Sequence, residues 1–182
     1  MKSLLFITLL LVISCKSTEP AKSTTLNQKI VFTETVNCPE NGTCTIEILH
    51  NKNLEFKSDE FGNLYPEISN GNKHVFKYTY TKKPIPNVAD SNYSEIIYAE
   101  LDENFSAVNL ANDSLQQVKL YYGRLCFCKG ANGYFPINRG DFKLTKTSND
   151  SLKIELSFTV KNVPQIISEI NETVSLKSNQ TK

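Results

Sequence analysis

Ser151-Leu152-Lys153-Ile154-Glu155-Leu156-Ser157-Phe158-Thr159-Val160 decides the fold class. Leu152, Ile154, Leu156, Phe158 and Val160 fall on one side of an extended chain, and Lys153, Glu155, Ser157 and Thr159 fall on the other. Side chains alternate between faces with a period of two in a strand, so this is a strand with one face buried and one face wet. The same alternation recurs outward in both directions. Val118, Leu120 and Tyr122 alternate with Lys119 and Tyr121; Phe76, Tyr78 and Tyr80 alternate with Lys77, Thr79 and Thr81. Weaker versions run through Ile30, Phe32 and Val36, through Ile46 and Ile48, through Leu54 and Phe56, and from Tyr93 to Leu101. Turn-forming clusters separate them: Pro39-Glu40-Asn41-Gly42, Asn51-Lys52, Asn70-Gly71-Asn72, Asn132-Gly133 and Ser148-Asn149-Asp150. About nine short strands at such spacing predict an all-β fold, a single antiparallel sandwich or barrel-like domain with at most one short helix. That helix is placed at Pro164 to Ile170, where an edge strand fits equally well. Ser58 to Lys73 is expected to be a long connection carrying Phe61, Leu64 and Tyr65.

The first residues are an address. Lys2 is followed by the apolar run Leu4 to Ile13. Ten residues rise only about 15 Å in a helix, whereas a bilayer core is roughly 30 Å thick. The run therefore has the length of a signal-peptide core. It ends in Val12-Ile13-Ser14-Cys15, which resembles the lipobox of bacterial lipoprotein precursors. The resemblance covers about the first 15 residues, and the rest resembles no characterised family. It implies a diacylglyceryl group on Cys15, cleavage after Ser14 and acylation of the new amine. Two or more chains give stable anchoring where one does not. Lys16 stands where an Asp often marks inner-membrane retention, so the resemblance leans toward the outer membrane of the cell envelope. The expected organisation is a signal peptide at 1–14, a lipid-anchored tether at 15–28, a β domain at 29–176 and a tail at 177–182.

Without its first fourteen residues the chain keeps roughly 168, enough for one domain with a real core. The whole chain has 20 basic and 19 acidic residues, a balance that gives no support to a nucleic-acid partner or a polybasic membrane contact. The expected partners are the membrane, through the N-terminal lipid, and an envelope protein or glycan.

Once lipid takes Cys15, the cysteines Cys38, Cys44, Cys126 and Cys128 remain. An even number in an exported chain predicts disulfides. Both a local pairing (Cys38 with Cys44) and a crossed pairing to the Cys126-Phe127-Cys128 segment stay open. By parity, all four point to the apolar side. The competing use of Cys126 and Cys128 is a thiol-dependent metal or redox site, since thiolates suit soft metals. Against it, the spacing is not Cys-x-x-Cys, and neither Met nor His lies beside the pair.

No other motif carries chemistry. His50 and His74 lack a second ligand at metal spacing, the Gly-x-Ser-x-Gly elbow is missing, and no phosphate loop exists. Arg139-Gly140-Asp141 reads as a hairpin turn. No catalytic residue, metal or cofactor is assigned. Tyr121, Leu125 and Phe127 share the face opposite Val118 and the cysteines, so they are the candidate binding surface. The chain is expected to be a non-enzymatic binding or structural module.

Overall fold

A computed structural model describes residues 30–34, 37–130, 132–148 and 150–176, with side chains from residue 37 onward. Cys15, the segments 1–14 and 15–28, the tail 177–182 and the side chains of Ile30, Phe32 and Val36 lie outside the described residues. Among the described residues ten strands and one 3-10 helix follow in order: β1 (Ile30–Glu34), β2 (Gly42–Ser58), β3 (Leu64–Lys82), β4 (Tyr93–Leu101), β5 (Val108–Ala111), the helix (Asn112–Val118), β6 (Tyr121–Cys126), β7 (Gly133–Pro136), β8 (Gly140–Ser148), β9 (Ser151–Phe158) and β10 (Glu169–Ser175). They form two antiparallel sheets, one of six strands in the order β1-β2-β3-β4-β6-β7 and one of four in the order β10-β9-β8-β5. The fold is all-β, as the alternation predicts.

The inner faces meet in one core. Ile46, Ile48, Phe76, Tyr78, Tyr80, Ile97 and Tyr122 of the larger sheet pack against Phe142, Leu144, Leu152, Ile154, Leu156 and Phe158 of the smaller one. Leu152, Ile154, Leu156 and Phe158 are buried, so the alternation of the 151–160 stretch has its partner layer.

Two expected turns are bulges instead. Asn51-Lys52 and Asn70-Gly71-Asn72 lie inside β2 and β3, which run unbroken for 17 and 19 residues. The register between them shifts between His50 and Lys52. Asn51 sits at φ 56°, the left-handed region that Asn tolerates in turns and bulges alike, so composition does not distinguish the two. Gly71 is required opposite: a Cβ there would lie 2.1 Å from the Asn53 side chain. The proposed long connection from Ser58 to Lys73 is accordingly mostly strand. Only the tip at 59–63 turns, held by Asp59 Oδ1, which accepts the N–H groups of Phe61 and Asn63.

Between the pairs His50–His74 and Lys52–Asn70 one residue of β2, Asn51, faces three of β3, 71–73, and the irregularity has a large effect. Past it the strand presents the opposite parity to the inner core. Ile46 and Ile48 face the inner core, but Leu54, of the same parity, is buried in a second cluster with Val75, Ile96 and Tyr98. The distal half of the β2–β3 hairpin thus forms an arm over the outer face of the larger sheet. Phe56 of the arm stacks on Tyr121 at 3.8 Å between ring centroids. The arm is latched by Glu100 of β4, 5% exposed, which accepts from Leu54 N (2.8 Å), Lys73 Nζ (2.7 Å) and Lys119 Nζ (3.0 Å). Lys119 also donates to the Leu54 carbonyl at 2.6 Å. Burial alone would raise the Glu100 pKa, but the hydrogen bonds from Lys73, Leu54 N–H and Lys119 prevail and hold it below the usual glutamate value.

Two further expectations are corrected and one open choice is decided. Val118 ends the 3-10 helix and β6 begins at Tyr121, so Val118 to Cys128 is not one strand. Residues 164–168 contain no helix, and Ile170 belongs to β10, an edge strand. Arg139-Gly140-Asp141 is no hairpin turn but the crossing from β7 in one sheet to β8 in the other. Gly140 is needed there at φ 135°, because a Cβ would lie 1.9 Å from the Ser157 carbonyl oxygen.

The arm hinges on two imidazoles. His50 and His74 are opposite one another across β2 and β3, with ring centroids 4.7 Å apart. His74 is 5% exposed and stacks on Phe105 at 4.2 Å. Its Nδ1 accepts the bulge N–H of Asn51 (3.4 Å), which leaves Nε2–H to donate to the Glu103 carbonyl (3.1 Å). Burial lowers the His74 pKa against the opposing pull of the Glu103 carbonyl and the Asp102 and Glu103 charges. The unfolded chain therefore binds a proton that the folded one resists. Stability should be full above about pH 6.5 and fall as the pH drops below it. Urea midpoints measured from pH 7.5 to 5 should show this decline, and His74→Gln should flatten it.

Candidate functional site

One end of the larger sheet gathers three loops. Gly42 pairs with Lys82, and Tyr93 with Cys126, so the connections at 37–41, 83–92 and 127–132 emerge together. The first two are joined directly by Lys83 N–H donating to the Asn41 carbonyl at 2.7 Å. Both disulfides are here and both are local. Cys38 is bridged to Cys44, with Cα atoms 5.5 Å apart, and Cys126 to Cys128, with Cα atoms 5.2 Å apart. A regular strand would separate residues i and i+2 by roughly 6.5–7 Å. The closer approach is reached because β6 ends at Cys126 and the chain bends at Phe127. The parity argument for the cysteines is corrected accordingly. Cys44 is buried in the core, whereas Cys126 and Cys128 are half-buried at the rim.

The three side chains singled out on the Val118–Cys128 segment part company. Tyr121 lies under the arm against Phe56, and Leu125 packs against the Leu54–Tyr98 cluster. Phe127 is 85% exposed, projecting from between the two bridged cysteines. Beside it, Ile85-Pro86-Asn87-Val88 closes a turn in which Val88 N–H donates to the Ile85 carbonyl (3.2 Å) and Asn87 takes φ 62°. Ile85 and Val88 at its two ends are 55% and 51% exposed. The Ser91 hydroxyl accepts the Ile85 N–H at 3.1 Å. Ile85, Phe127, Lys82 and the 126–128 bridge line one hollow of about 180 Å³, and Leu125, Phe127 and Tyr93 line an adjoining one of about 320 Å³.

Beneath these loops is a buried polar cluster that the sequence reading missed. Glu95 of β4 has no exposed surface and accepts the N–H groups of Ile166 and Ile167, each at 2.7 Å, together with the Tyr93 hydroxyl. Arg124, opposite Glu95 on β6, donates through Nε to the Tyr93 oxygen (3.3 Å), with its guanidinium 5.2 Å from the centre of that ring. Tyr122 donates to the Pro164 carbonyl, and its pKa is pushed far above the ordinary tyrosine value by burial first and by Glu95 second. Gln165 fastens the same loop: its Oε1 accepts Val160 N–H, and its Nε2 donates to the Phe158 and Ile167 carbonyls. With three donors on a fully buried carboxylate, Glu95 is suited to join the sheets rather than to take a proton from a substrate. The signal was available. Glu95 shares parity with Ile97, Ala99 and Leu101, and Glu100 with Ile96 and Tyr98, so each acid sits in an apolar phase.

A third hollow, of about 350 Å³, lies between β4 and β5, lined by Lys73, Glu100, Asp102, Asn109, Gln117 and neighbouring apolar side chains. Its one buried acid, Glu100, is already held by two ammonium groups. Among the described residues no group of three or more His, Cys, Asp or Glu side chains is placed to hold a metal ion. No known protein family, curated protein or solved structure matches the chain.

Glu95→Ala orphans the buried N–H of Ile167, at a cost of about 1–3 kcal/mol, and frees the part-buried N–H of Ile166 at a smaller one. Urea unfolding should show a loss of that order, and Tyr93→Phe, which removes a single donor from the carboxylate, a smaller one.

Proposed function

We propose that the chain is a bacterial envelope lipoprotein. Cys15 carries the lipid, the anchor lies more toward the outer membrane than the inner, and the β domain binds or supports another envelope component without catalysing a reaction. The observation that carries the binding part is Phe127: a large ring, almost wholly in water, fixed between two bridged cysteines and flanked by the exposed Ile85 and Val88. Three of the exposed large apolar side chains, Phe127, Ile85 and Val88, stand on loops at the same end of the larger sheet, and such a grouping is the usual mark of a contact surface. The two disulfides support the oxidising compartment that the lipobox implies. The tightly occupied buried acids, Glu95 and Glu100, support a non-catalytic reading.

Anchoring is tested by Cys15→Ala. The parent should partition with membranes and into detergent, and its mass should show a lipidated N-terminal cysteine. The variant should keep its leader and lose lipid. Equal partition of the two would overturn the reading.

A second reading, thiol-dependent redox or metal chemistry at Cys126 and Cys128, is favoured by one observation: their bridge lines an open hollow at the rim. Protein alkylated as it leaves the envelope, without reductant, discriminates between the two. A structural bridge leaves both residues unlabelled, whereas label on Cys126 and Cys128 with Cys38 and Cys44 protected would favour the thiol chemistry.

A further inference from the structure

Charge over the whole chain is balanced, yet at the loop end it is not evenly spread. Lys82 and Lys83 immediately precede the Ile85–Val88 turn, and Lys129 follows Phe127 by two residues; all three are exposed. The exposed acids on these loops are Glu40 and Asp90. Lys82 and Asp90 line the hollow beside Phe127 and Ile85, with Lys83 and Lys129 close by in sequence; apolar tips accompanied by a small excess of ammonium groups are the pattern of a surface that seats in the boundary between headgroups and acyl chains. The rings and branched chains enter the apolar layer while the long cationic stems stay with the phosphates.

We propose that this end is a second membrane contact, in which Phe127, Ile85 and Val88 insert into an anionic bilayer surface and Lys82, Lys83 and Lys129 pair with its phosphates. The proposal names the partner of the contact surface assigned above and rests on that reading; its test is made without the lipid.

Two further observations favour a bilayer. The tips are preorganised. Phe127 is held between two linked cysteines, and the 85–88 turn contains Pro86, follows Pro84 and is fastened by Ser91. Insertion therefore orders little that is not already fixed. Reach also permits it. Ile30 pairs with Leu49, seven residues along β2 from Gly42, so β1 enters the sheet about 23 Å from the loop end. The fifteen residues from Cys15 to Ile30 have a contour of up to about 50 Å. A chain anchored at Cys15 is long enough to lay this end on the same bilayer.

The chain contains no Trp, so Phe127→Trp supplies a single reporter at an exposed position. The chain from residue 15 onward with Cys15→Ser has no lipid and retains every described strand. Mixed with phosphatidylglycerol–phosphatidylcholine vesicles at moderate salt, the reporter emission should shift to the blue and the protein should float with the vesicles. Pure phosphatidylcholine should give neither. Lys82→Gln, Lys83→Gln and Lys129→Gln should each weaken partition by roughly fivefold. Phe127→Ala should abolish flotation at an unchanged urea midpoint. A reporter that stays in water with anionic vesicles, as it would if the true partner were a protein or glycan, overturns the proposal. So does binding indifferent to lipid charge or to the lysines. Because no lipid is attached, failure here leaves the anchoring reading to be judged by the Cys15→Ala fractionation.

Discussion

The carboxylate of Glu95 holds the two layers in relation to one another. Apolar contact between the inner faces is strong but has no direction of its own. A buried anion with two backbone N–H donors from the opposite layer has a fixed position. Five residues along the same strand, Glu100 points to the other side and does the equivalent for the arm. An odd spacing on β4 thus serves both faces, which makes this central strand the frame of the molecule: β3 and β6 flank it, the 159–168 connection is pinned on one side of it, and the arm is latched on the other.

The arm exists because β2 and β3 change phase at one irregularity, where Asn51 faces residues 71–73. Without the bulge at Asn51, Leu54 and Phe56 would keep the phase of Ile46 and Ile48, and the outer cluster around Tyr98 would lose its cover. The Phe56–Tyr121 stack shows what the cover does: it turns an aromatic outer face, which in a solvated sheet would be adhesive, into a second, smaller core. The edges are managed differently. β5 and β7 are four residues each, and β7 ends in Pro136, so neither offers a long template for another strand.

Much of the fold was legible because period-two alternation is a local signal. Leu152 to Phe158 and Phe76 to Tyr80 read directly as strands. The places where the reading failed share a cause. Asn51-Lys52 and Asn70-Gly71-Asn72 have the chemistry of turns, and only long-range pairing reveals that the strands continue through them. His50 and His74 are 24 positions apart in sequence and become neighbours through the same register, which no spacing rule could anticipate. The helix at 112–118 is two turns of 3-10 structure, too short to show periodicity. Of the candidate surface, Phe127 was found through parity on a strand that in fact ends one residue earlier. Ile85 and Val88 went unnoticed because a Pro-rich loop carries no alternation. Glu95 and Glu100 were visible as acids in apolar phase, but what they hold is contributed by distant segments.

The bridge between Cys38 and Cys44 has a further consequence for durability. It spans the connection between the first two strands, the point where everything N-terminal joins the body. A protease that nicks the backbone anywhere from Pro39 to Thr43 would leave the two pieces covalently joined through sulfur. The residues before the cut would stay fastened to the β domain after the main chain is severed, until a reductant released them.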